Sequence, residues 1–205
     1  IGSVGTVMPD VEVKIGENNE ILLRGKTITT GYYKKPEATA AAIDRDGWFH
    51  TGDAGYLKDS HLYLTERIKD LFKTSNGKYI SPQALETKLA IDRYIDQIAV
   101  IADERKFVSA LIVPVYGFVK DYAKEKGIAY SNMDELLQHP KIQALFRARI
   151  DTLQQQFAHY EQVKRFTLLT EPFSMERGEL TNTLKLKRSV VAKNYKGLID
   201  KMYEE

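Results

Sequence analysis

Alternating apolar and polar residues predict a small antiparallel sheet in the first third of the chain. Apolar residues occupy every second position over residues 11–15, and a second apolar run covers residues 21–23. The polar residues 17–20 between them are typical of a turn, so the two runs predict a β-hairpin. Aromatic segments at 48–49 and 56–57, a strand at 61–64 and an Ala-rich helix at 37–43 complete the predicted elements. Residues 1–66 therefore predict short strands and loops around a β core.

Helical periodicity enters the pattern after Arg67. Ser81 followed by Pro82 is typical of a helix start, because the hydroxyl can cap the first turn and Pro suits the first helical position. Apolar residues at helical spacing predict a helix from Pro140 to Phe157, and the whole stretch 133–156 is expected to be one long helical segment. Two other helices are expected, one at residues 117–126 with Gly127 as its C-terminal cap and one from Ser189 onward. Strands are expected at residues 95–101, 107–113 and 166–169. The whole pattern predicts an α+β fold.

Composition excludes several kinds of chemistry. The chain has no cysteine, which rules out disulfides and thiol catalysis and favours a reducing cytoplasm. Its formal net charge of +2 gives no electrostatic argument for nucleic acid. No apolar run reaches the roughly 20 residues of a membrane span, although the small excess of basic residues leaves peripheral contact with the inner face of a membrane open. The four histidines lack metal-ligand spacing, so no protein metal site is predicted.

Four segments carry residues that could take part in catalysis or binding. They are the predicted Thr-Gly-Asp turn at 51–53, the mixed-charge segment 66–70, the Gly-containing loop 73–82 and the basic segment 178–188. Each has a purely structural explanation as well. An aspartate after glycine commonly forms an Asx-turn, Asn-Gly is typical of a hairpin tip, and charged segments are usually solvated surface.

The order and spacing of these segments resemble the adenylate-forming enzymes, which include acyl-CoA synthetases, luciferases and peptide-synthetase adenylation domains. The resemblance implies that Asp53 accepts hydrogen bonds from both ribose hydroxyls of ATP or AMP, a sensible match of two donors to one carboxylate. It implies that Arg67 contacts the ribose or phosphate and that Lys69 is a hinge. Gly77 and Lys78 would belong to a loop lining the channel for the phosphopantetheine arm of coenzyme A, where glycine lets the backbone approach closely.

The basic segment resembles the family's catalytic lysine segment. Aligned without gaps, Lys185 matches the lysine that offsets charge while the acyl-adenylate forms and pyrophosphate departs, and Arg188 matches a following arginine. The chain departs from the family pattern in two places, because Glu179 and Leu184 stand where the family usually has Pro and Gly. Lys187 therefore stays open as an alternative to Lys185.

A further stretch narrows the subfamily. The helical segment 133–156, the run at 160–166 and the ending at 184–188 resemble long-chain fatty acyl-CoA synthetases of the bacterial type. The implied activity is ATP-dependent ligation of a fatty acid to coenzyme A, through an acyl-adenylate and then a thioester. An acyl–carrier-protein ligase and a non-catalytic module that kept the fold are the alternatives.

The resemblance maps onto the last third of a typical family member. Residues 1–67 are expected to be the β-rich end of the large N-terminal AMP-binding domain, and residues 68–205 the mobile C-terminal lid. The family's phosphate loop and magnesium-binding glutamate have no counterpart, so the Mg²⁺ that accompanies ATP is expected to bind outside this chain. We expect the chain alone to lack ligase activity and to bind nucleotide weakly. Residues 1–66 are expected to expose apolar strand edges, which could pair with a second copy of the chain and form a homodimer.

Overall fold

The protein has a mixed α+β fold with two compact units. The computed structural model describes residues 2–204, and the chain divides into residues 1–71, here called unit 1, and residues 72–205, called unit 2. The predicted α+β class is confirmed. The division between the units falls after Leu71, while the domain boundary after Arg67 stays a prediction.

Unit 1 is built on a five-stranded antiparallel sheet. Its elements are β1 (Gly5–Thr6), β2 (Val11–Ile15), β3 (Glu20–Gly25), α1 (Pro36–Ala42), β4 (Phe49–Lys58) and β5 (His61–Arg67). The strand order is β1-β5-β4-β3-β2, so β4 lies in the centre and pairs with β3 on one side and β5 on the other. The short β1 and the polar-faced β2 form the two edges of the sheet.

The predicted hairpin near the start of the chain is confirmed. β2 pairs with β3 in register from Val11 opposite Gly25 to Ile15 opposite Ile21. The alternation of apolar and polar residues in β2 reflects the two faces of the strand, because the apolar residues are half-buried and the polar ones are exposed. A short 3-10 turn, Glu17–Asn19, connects the strands, with Asn18 at a φ of 53°, a left-handed conformation that asparagine tolerates well.

The Thr-Gly-Asp segment is not a turn, and that prediction is wrong. It lies inside β4. There Glu20 pairs with Ala54 and Leu22 pairs with His50, so one residue of β3 lies opposite three residues of β4 and β4 forms a bulge. Gly52 absorbs the irregularity with a φ of +69°. The local sequence is typical of a turn, and Gly52 keeps a turn-like φ. Pairing of β4 with β3 on either side of the bulge, and with β5 from Asp53 onward, holds the segment within the strand.

Unit 2 is built around a three-stranded sheet with helices on its faces. A small hairpin precedes it, formed by β6 (Phe72–Lys73) and β7 (Tyr79–Ile80). The sheet strands are β8 (Ile95–Ile101), β9 (Val108–Pro114) and β10 (Val163–Leu168), in the order β10-β9-β8. The helices are α2 (Pro82–Leu89), α3 (Tyr116–Glu125), α4 (Met133–Gln138), α5 (Pro140–Leu153), α6 (Arg188–Asn194) and α7 (Lys196–Lys201). β9 pairs antiparallel with β8 and parallel with β10, and the parallel pairing needs the long crossover that α3, α4 and α5 supply.

The central strand β9 separates two apolar cores in unit 2. Successive side chains point to opposite faces, so Ala110 and Ile112 enter the core under α2, α3 and α5, whereas Leu111 and Val113 enter the core with Phe173 and the last two helices. All seven residues of β9 are buried. Burial on both faces explains why residues 110–113 of this strand form a continuous apolar run rather than an alternating one.

Helix boundaries in unit 2 agree with the capping signals, and α5 begins at Pro140, where the helical period was predicted to begin. The Ser81 hydroxyl accepts the Ala84 N–H at 3.2 Å, as predicted, and Gly127 follows α3 with a φ of +62°. The predicted continuous helix over 133–156 is wrong, because it breaks at His139. The residue before a proline favours extended backbone, and His139 has a ψ of 132° ahead of Pro140. The final predicted helix is likewise divided, at Tyr195.

Candidate active site

Asp53 lies at the end of the bulge in β4. The Thr51 hydroxyl donates to the Ile21 carbonyl oxygen at 2.7 Å and accepts the Asp53 N–H at 3.1 Å. These two bonds connect the bulge to the neighbouring strand β3 and orient the backbone from which the Asp53 carboxylate projects. The Asp53 side chain is 35% exposed, so its carboxylate can meet a ligand from solvent.

Arg67 pairs with Asp53 across the sheet. The two residues are directly opposite each other in the β4–β5 ladder, and the Arg67 Nε atom lies 3.4 Å from the Asp53 Oδ1 atom. Exposed ion pairs of this kind add only about 0–1 kcal/mol to stability. The pair therefore contributes little to the free energy of folding. What it provides is an acceptor carboxylate and a donor guanidinium side by side at the surface. The structure thus brings together two of the residues predicted to contact nucleotide.

A cavity of about 360 Å³ lies next to this pair within unit 1. Its lining residues come from the start of β3, the bulge, the end of β5 and the 3-10 turn that follows β5: Glu20, Thr51, Gly52, Arg67, Ile68 and Lys69. Lys69 is exposed and lies in the 3-10 turn Ile68–Asp70, just before unit 1 ends. The predicted hinge residue therefore shares a cavity wall with Arg67.

Gly77 and Lys78 lie in the connection of the β6–β7 hairpin in unit 2. Gly77 has a φ of +75°, and its N–H donates to the Thr74 carbonyl oxygen at 2.8 Å. The Thr74 hydroxyl accepts the Lys78 N–H at 3.1 Å, which closes the loop. A Cβ at position 77 would have no neighbour within 4 Å, so backbone conformation rather than space favours glycine in this structure. The hairpin explanation is confirmed, and the coenzyme A role stays a prediction.

Lys185 lies in a tight loop between residues 180 and 186, which form an isolated antiparallel bridge. The Thr181 N–H donates to the Lys185 carbonyl oxygen at 2.8 Å, and the Lys185 N–H donates to the Thr181 hydroxyl at 3.0 Å. These bonds fix the Lys185 backbone while its side chain is exposed. Leu184, which stands where the family pattern has Gly, adopts a φ of +59°.

Glu179 anchors the base of the lysine loop. Its carboxylate is 1% exposed and accepts hydrogen bonds from Arg177, Asn194 and the Ser174 N–H. Burial by itself would raise the pKa of this carboxyl, but these hydrogen bonds outweigh burial and hold the pKa below its usual value. The Glu179 carbonyl oxygen also accepts the Lys187 N–H at 2.8 Å. An ionised, buried carboxylate therefore holds the base of the loop that carries Lys185, and the backbone of the same residue holds Lys187, which follows the loop.

The sequence of unit 2 also identifies the family. Residues 69–205 match the model of the AMP-binding enzyme C-terminal domain. The chain belongs to the AMP-binding enzyme family. That match begins at Lys69, the residue predicted to be the hinge.

Relatives of this AMP-binding enzyme chain include fatty acyl-CoA synthetases. The peroxisomal long chain acyl-CoA synthetase 7 of Arabidopsis thaliana is 35% identical over 222 residues, covering 100% of this chain and 32% of that protein. The long-chain-fatty-acid–CoA ligase FadD15 of Mycobacterium tuberculosis is 32% identical over 207 residues, covering 100% and 34%. The chain thus spans about a third of the length of the curated relatives it matches.

A solved structure of an adenylation domain has the same fold. The adenylation domain of a carboxylate reductase from Mycobacterium chelonae is 25% identical, with a TM-score of 0.71, over 98% of this chain and 32% of that chain. The resemblance to adenylate-forming enzymes that the motifs indicated is confirmed by the family match and by these relatives.

Three carboxylates of this AMP-binding enzyme hold the bulge and the loop that carries Lys185, and the sequence alone assigned no role to any of them. Glu20 bonds the Gly52 N–H 32 positions later, and Glu86 bonds Arg188 102 positions later. No local pattern indicates pairings over such separations. The third, Glu179, did carry a signal, because it replaces a proline of the family pattern with an ionisable residue.

Two further properties concern metals and membranes. Within residues 2–204, no group of three or more His, Asp or Glu side chains could hold a metal ion. In the same part of the AMP-binding enzyme chain, no helix has the length and apolar character needed to cross a membrane.

Proposed function

We propose that this chain forms the ribose-contacting edge and the mobile C-terminal domain of an ATP-dependent long-chain fatty acid–CoA ligase. The observation that carries the proposal is the Asp53–Arg67 pair beside the cavity of unit 1, in a chain whose relatives are named as long-chain acyl-CoA synthetases and ligases. A partly exposed carboxylate and guanidinium match a nucleotide, since the carboxylate accepts from ribose hydroxyls and the guanidinium donates to oxygen acceptors.

In the first half reaction, a fatty acid carboxylate oxygen attacks the α-phosphorus of ATP. A new oxygen–phosphorus bond forms, the bond to the β-phosphate bridge breaks, and pyrophosphate leaves with its electron pair. Asp53 orients the ribose, and the exposed Lys185 ammonium offsets negative charge that develops around the α-phosphate. The fixed backbone of the lysine loop supports this role, because it limits where the side chain can reach.

In the second half reaction, the coenzyme A thiolate attacks the acyl carbonyl and AMP leaves. The Gly77–Lys78 loop lines the path of the phosphopantetheine arm in this proposal. The two half reactions would use different positions of unit 2, with rotation about Lys69. The division of the chain shortly after the turn that contains Lys69 supports that hinge assignment.

Magnesium enters the proposal only as the ion that accompanies ATP. The described residues 2–204 present no cluster suited to hold a metal ion, so we derive no step through a metal bound by this chain.

Location and assembly belong to the same proposal. We propose a cytoplasmic enzyme that contacts the inner face of a membrane peripherally, because its proposed substrate is a fatty acid. Sedimentation of the chain with vesicles that contain anionic lipid would test this contact. A homodimer through the edges of unit 1 is tested by size-exclusion chromatography, where a clean monomer at high concentration would contradict it.

The experiment that tests the function is replacement of Asp53 by Asn in the full-length ligase that contains this chain. We expect the KM for ATP to rise roughly 10- to 100-fold, the loss that follows removal of hydrogen bonds to a charged group. Asp59→Asn is the matched control, because Asp59 lies at the other end of the β4–β5 hairpin with a φ of 49° that Asn accepts. An unchanged KM for ATP in Asp53→Asn would refute the ribose role.

The second candidate is an adenylate former that delivers its acyl group to a carrier protein. The structural likeness to the adenylation domain of a carboxylate reductase favours keeping this candidate. Supplying the full-length enzyme with either coenzyme A or a phosphopantetheinylated carrier protein, and measuring which thioester forms, decides between the two acceptors.

A further inference from the structure

Glu20 lies directly across from the bulge that carries Asp53. One oxygen of its carboxylate, Oε1, accepts the Gly52 N–H at 3.0 Å. The other, Oε2, lies 2.9 Å from the Nδ1 atom of His50. The Glu20 side chain is 20% exposed, so it is held between these two partners and is not free in solvent.

The bulge needs a partner of this kind. Gly52 has a φ of +69°, and its N–H bonds the Glu20 side chain in place of a backbone carbonyl of the neighbouring strand. A polar backbone group left without a partner in a half-buried place costs free energy. On the other side of Gly52, the Thr51 hydroxyl donates to the Ile21 carbonyl oxygen and accepts the Asp53 N–H. Glu20 and Thr51 together fix the three-residue segment that ends in Asp53.

Glu20 is in turn fixed from the loop before β4. The Nε2 atom of His50 lies 3.8 Å from the Oδ2 atom of Asp44, so the imidazole sits between two carboxylates. Asp44 accepts the N–H groups of Asp46 and Trp48 at 3.0 and 2.9 Å, which orients its carboxylate. A continuous chain of contacts thus leads from this loop through His50 and Glu20 to the bulge.

We propose that Glu20 is a positioning residue for nucleotide binding, which acts by holding the Gly52 N–H so that Asp53 presents its carboxylate to the ribose. The inference rests on the proposed function of Asp53. Glu20 also lines the cavity beside Arg67, so its carboxylate helps to define the wall against which the nucleotide packs. Its contribution falls on ATP binding and not on the transfer of the acyl group.

The first test measures the bulge itself and does not depend on enzyme activity. In the 205-residue chain, we expect Glu20→Ala to speed amide hydrogen exchange at Gly52 about ten-fold, as expected when one hydrogen bond to a charged group is lost. Glu20→Gln keeps an acceptor oxygen and should retain most of the protection. Glu12→Ala is the matched control, because Glu12 lies on the adjacent strand and pairs with Arg24. Unchanged exchange at Gly52 in Glu20→Ala would overturn the proposal.

The second test measures kinetics in the full-length ligase. We expect Glu20→Ala to raise the KM for ATP about ten-fold with a change in kcat below about three-fold, and Glu20→Gln to restore the KM. If Asp53→Asn raises the KM for ATP and Glu20→Ala does not, the positioning role is wrong while the proposed function stands. If Asp53→Asn has no effect, the proposed function fails, and the exchange experiment still decides whether Glu20 holds the bulge. Equal losses in Glu20→Ala and Glu20→Gln, accompanied by a lower melting temperature, would show a role in folding alone.

Discussion

Arg188 donates two hydrogen bonds of 2.6 Å to the two carboxylate oxygens of Glu86, 102 positions earlier in the chain. Glu86 lies in α2 and also accepts the Val100 N–H of β8 at 2.8 Å. Arg188 is the first residue of α6 and follows the lysine loop directly. The bidentate pair therefore ties the end of that loop to the body of unit 2.

We expect Glu86→Ala to destabilise the chain by about 2–3 kcal/mol, because it removes two bonds to a guanidinium and leaves the Val100 N–H without its acceptor. Denaturant unfolding measures the change. Glu125→Ala serves as the control, since Glu125 forms an exposed ion pair with its neighbour Lys126, and it should show no measurable change. Equal stability of the two variants would contradict the prediction.

The two candidate lysines can be separated by their half reactions. We expect Lys185→Ala in the full-length ligase to slow acyl-adenylate formation by at least about 100-fold, as removal of a charge-stabilising group does. Thioester formation from supplied acyl-adenylate should change little. Lys187→Ala is the matched variant, because Lys187 is also exposed and lies two positions further on. The assignment of Lys185 is wrong if adenylate formation survives its replacement and fails in Lys187→Ala.

Leu184 occupies a backbone conformation that suits glycine. Its φ of +59° costs about 1–2 kcal/mol for a residue with a Cβ. The residue is 67% exposed, so truncation of its side chain removes little packing. We expect Leu184→Gly to be more stable than Leu184→Ala by about 1 kcal/mol, since alanine keeps the strain and glycine relieves it. Thermal unfolding of the two variants side by side measures this difference. An alanine variant as stable as the glycine variant would show that the left-handed conformation is not strained.

The buried Glu179 carboxyl predicts a pH dependence of stability. Because its pKa is lowered in the folded chain, its stabilising contribution is present above the usual glutamate value of about 4.3 and is lost as pH falls through the lowered folded pKa. We expect Glu179→Gln to be about 1–3 kcal/mol less stable at neutral pH. The difference from the wild-type chain should shrink on acidification below about pH 4.3. A difference that stays constant between pH 7 and pH 3 would contradict this explanation.

Local sequence signals predicted the elements whose causes are local. The β2–β3 hairpin follows from alternation within 15 residues, and the start of α2 follows from Ser81 and Pro82, which act within one helical turn. The apolar period from Pro140 onward likewise predicted α5. The single helical segment over 133–156 was wrong, because steric constraints on the residue before Pro140 end α4 and start a new helix.

The motifs indicated which residues belong to the candidate site, and the fold determined how they are held. The order of the motifs predicts Asp53, Arg67 and Lys185 as site residues. It does not predict the bulge in β4, because a Thr-Gly-Asp segment has the local preferences of a turn and is held inside a strand only through the pairing of β4 with β3 and β5. Glu20 could not be identified either, since its hydrogen bond to Gly52 exists only once the two strands are aligned.

The sequence by itself determined the α+β class, the family and the candidate residues, because periodicity, capping and motif spacing act over short stretches of chain. Only the tertiary structure decided which carboxylates hold the site: Glu20 for the bulge, Glu86 for the end of the lysine loop and Glu179 for its base. Two of these carboxylates reach partners 32 and 102 positions away. Such pairings depend on how the strands and helices pack, a property of the folded chain that no local pattern contains.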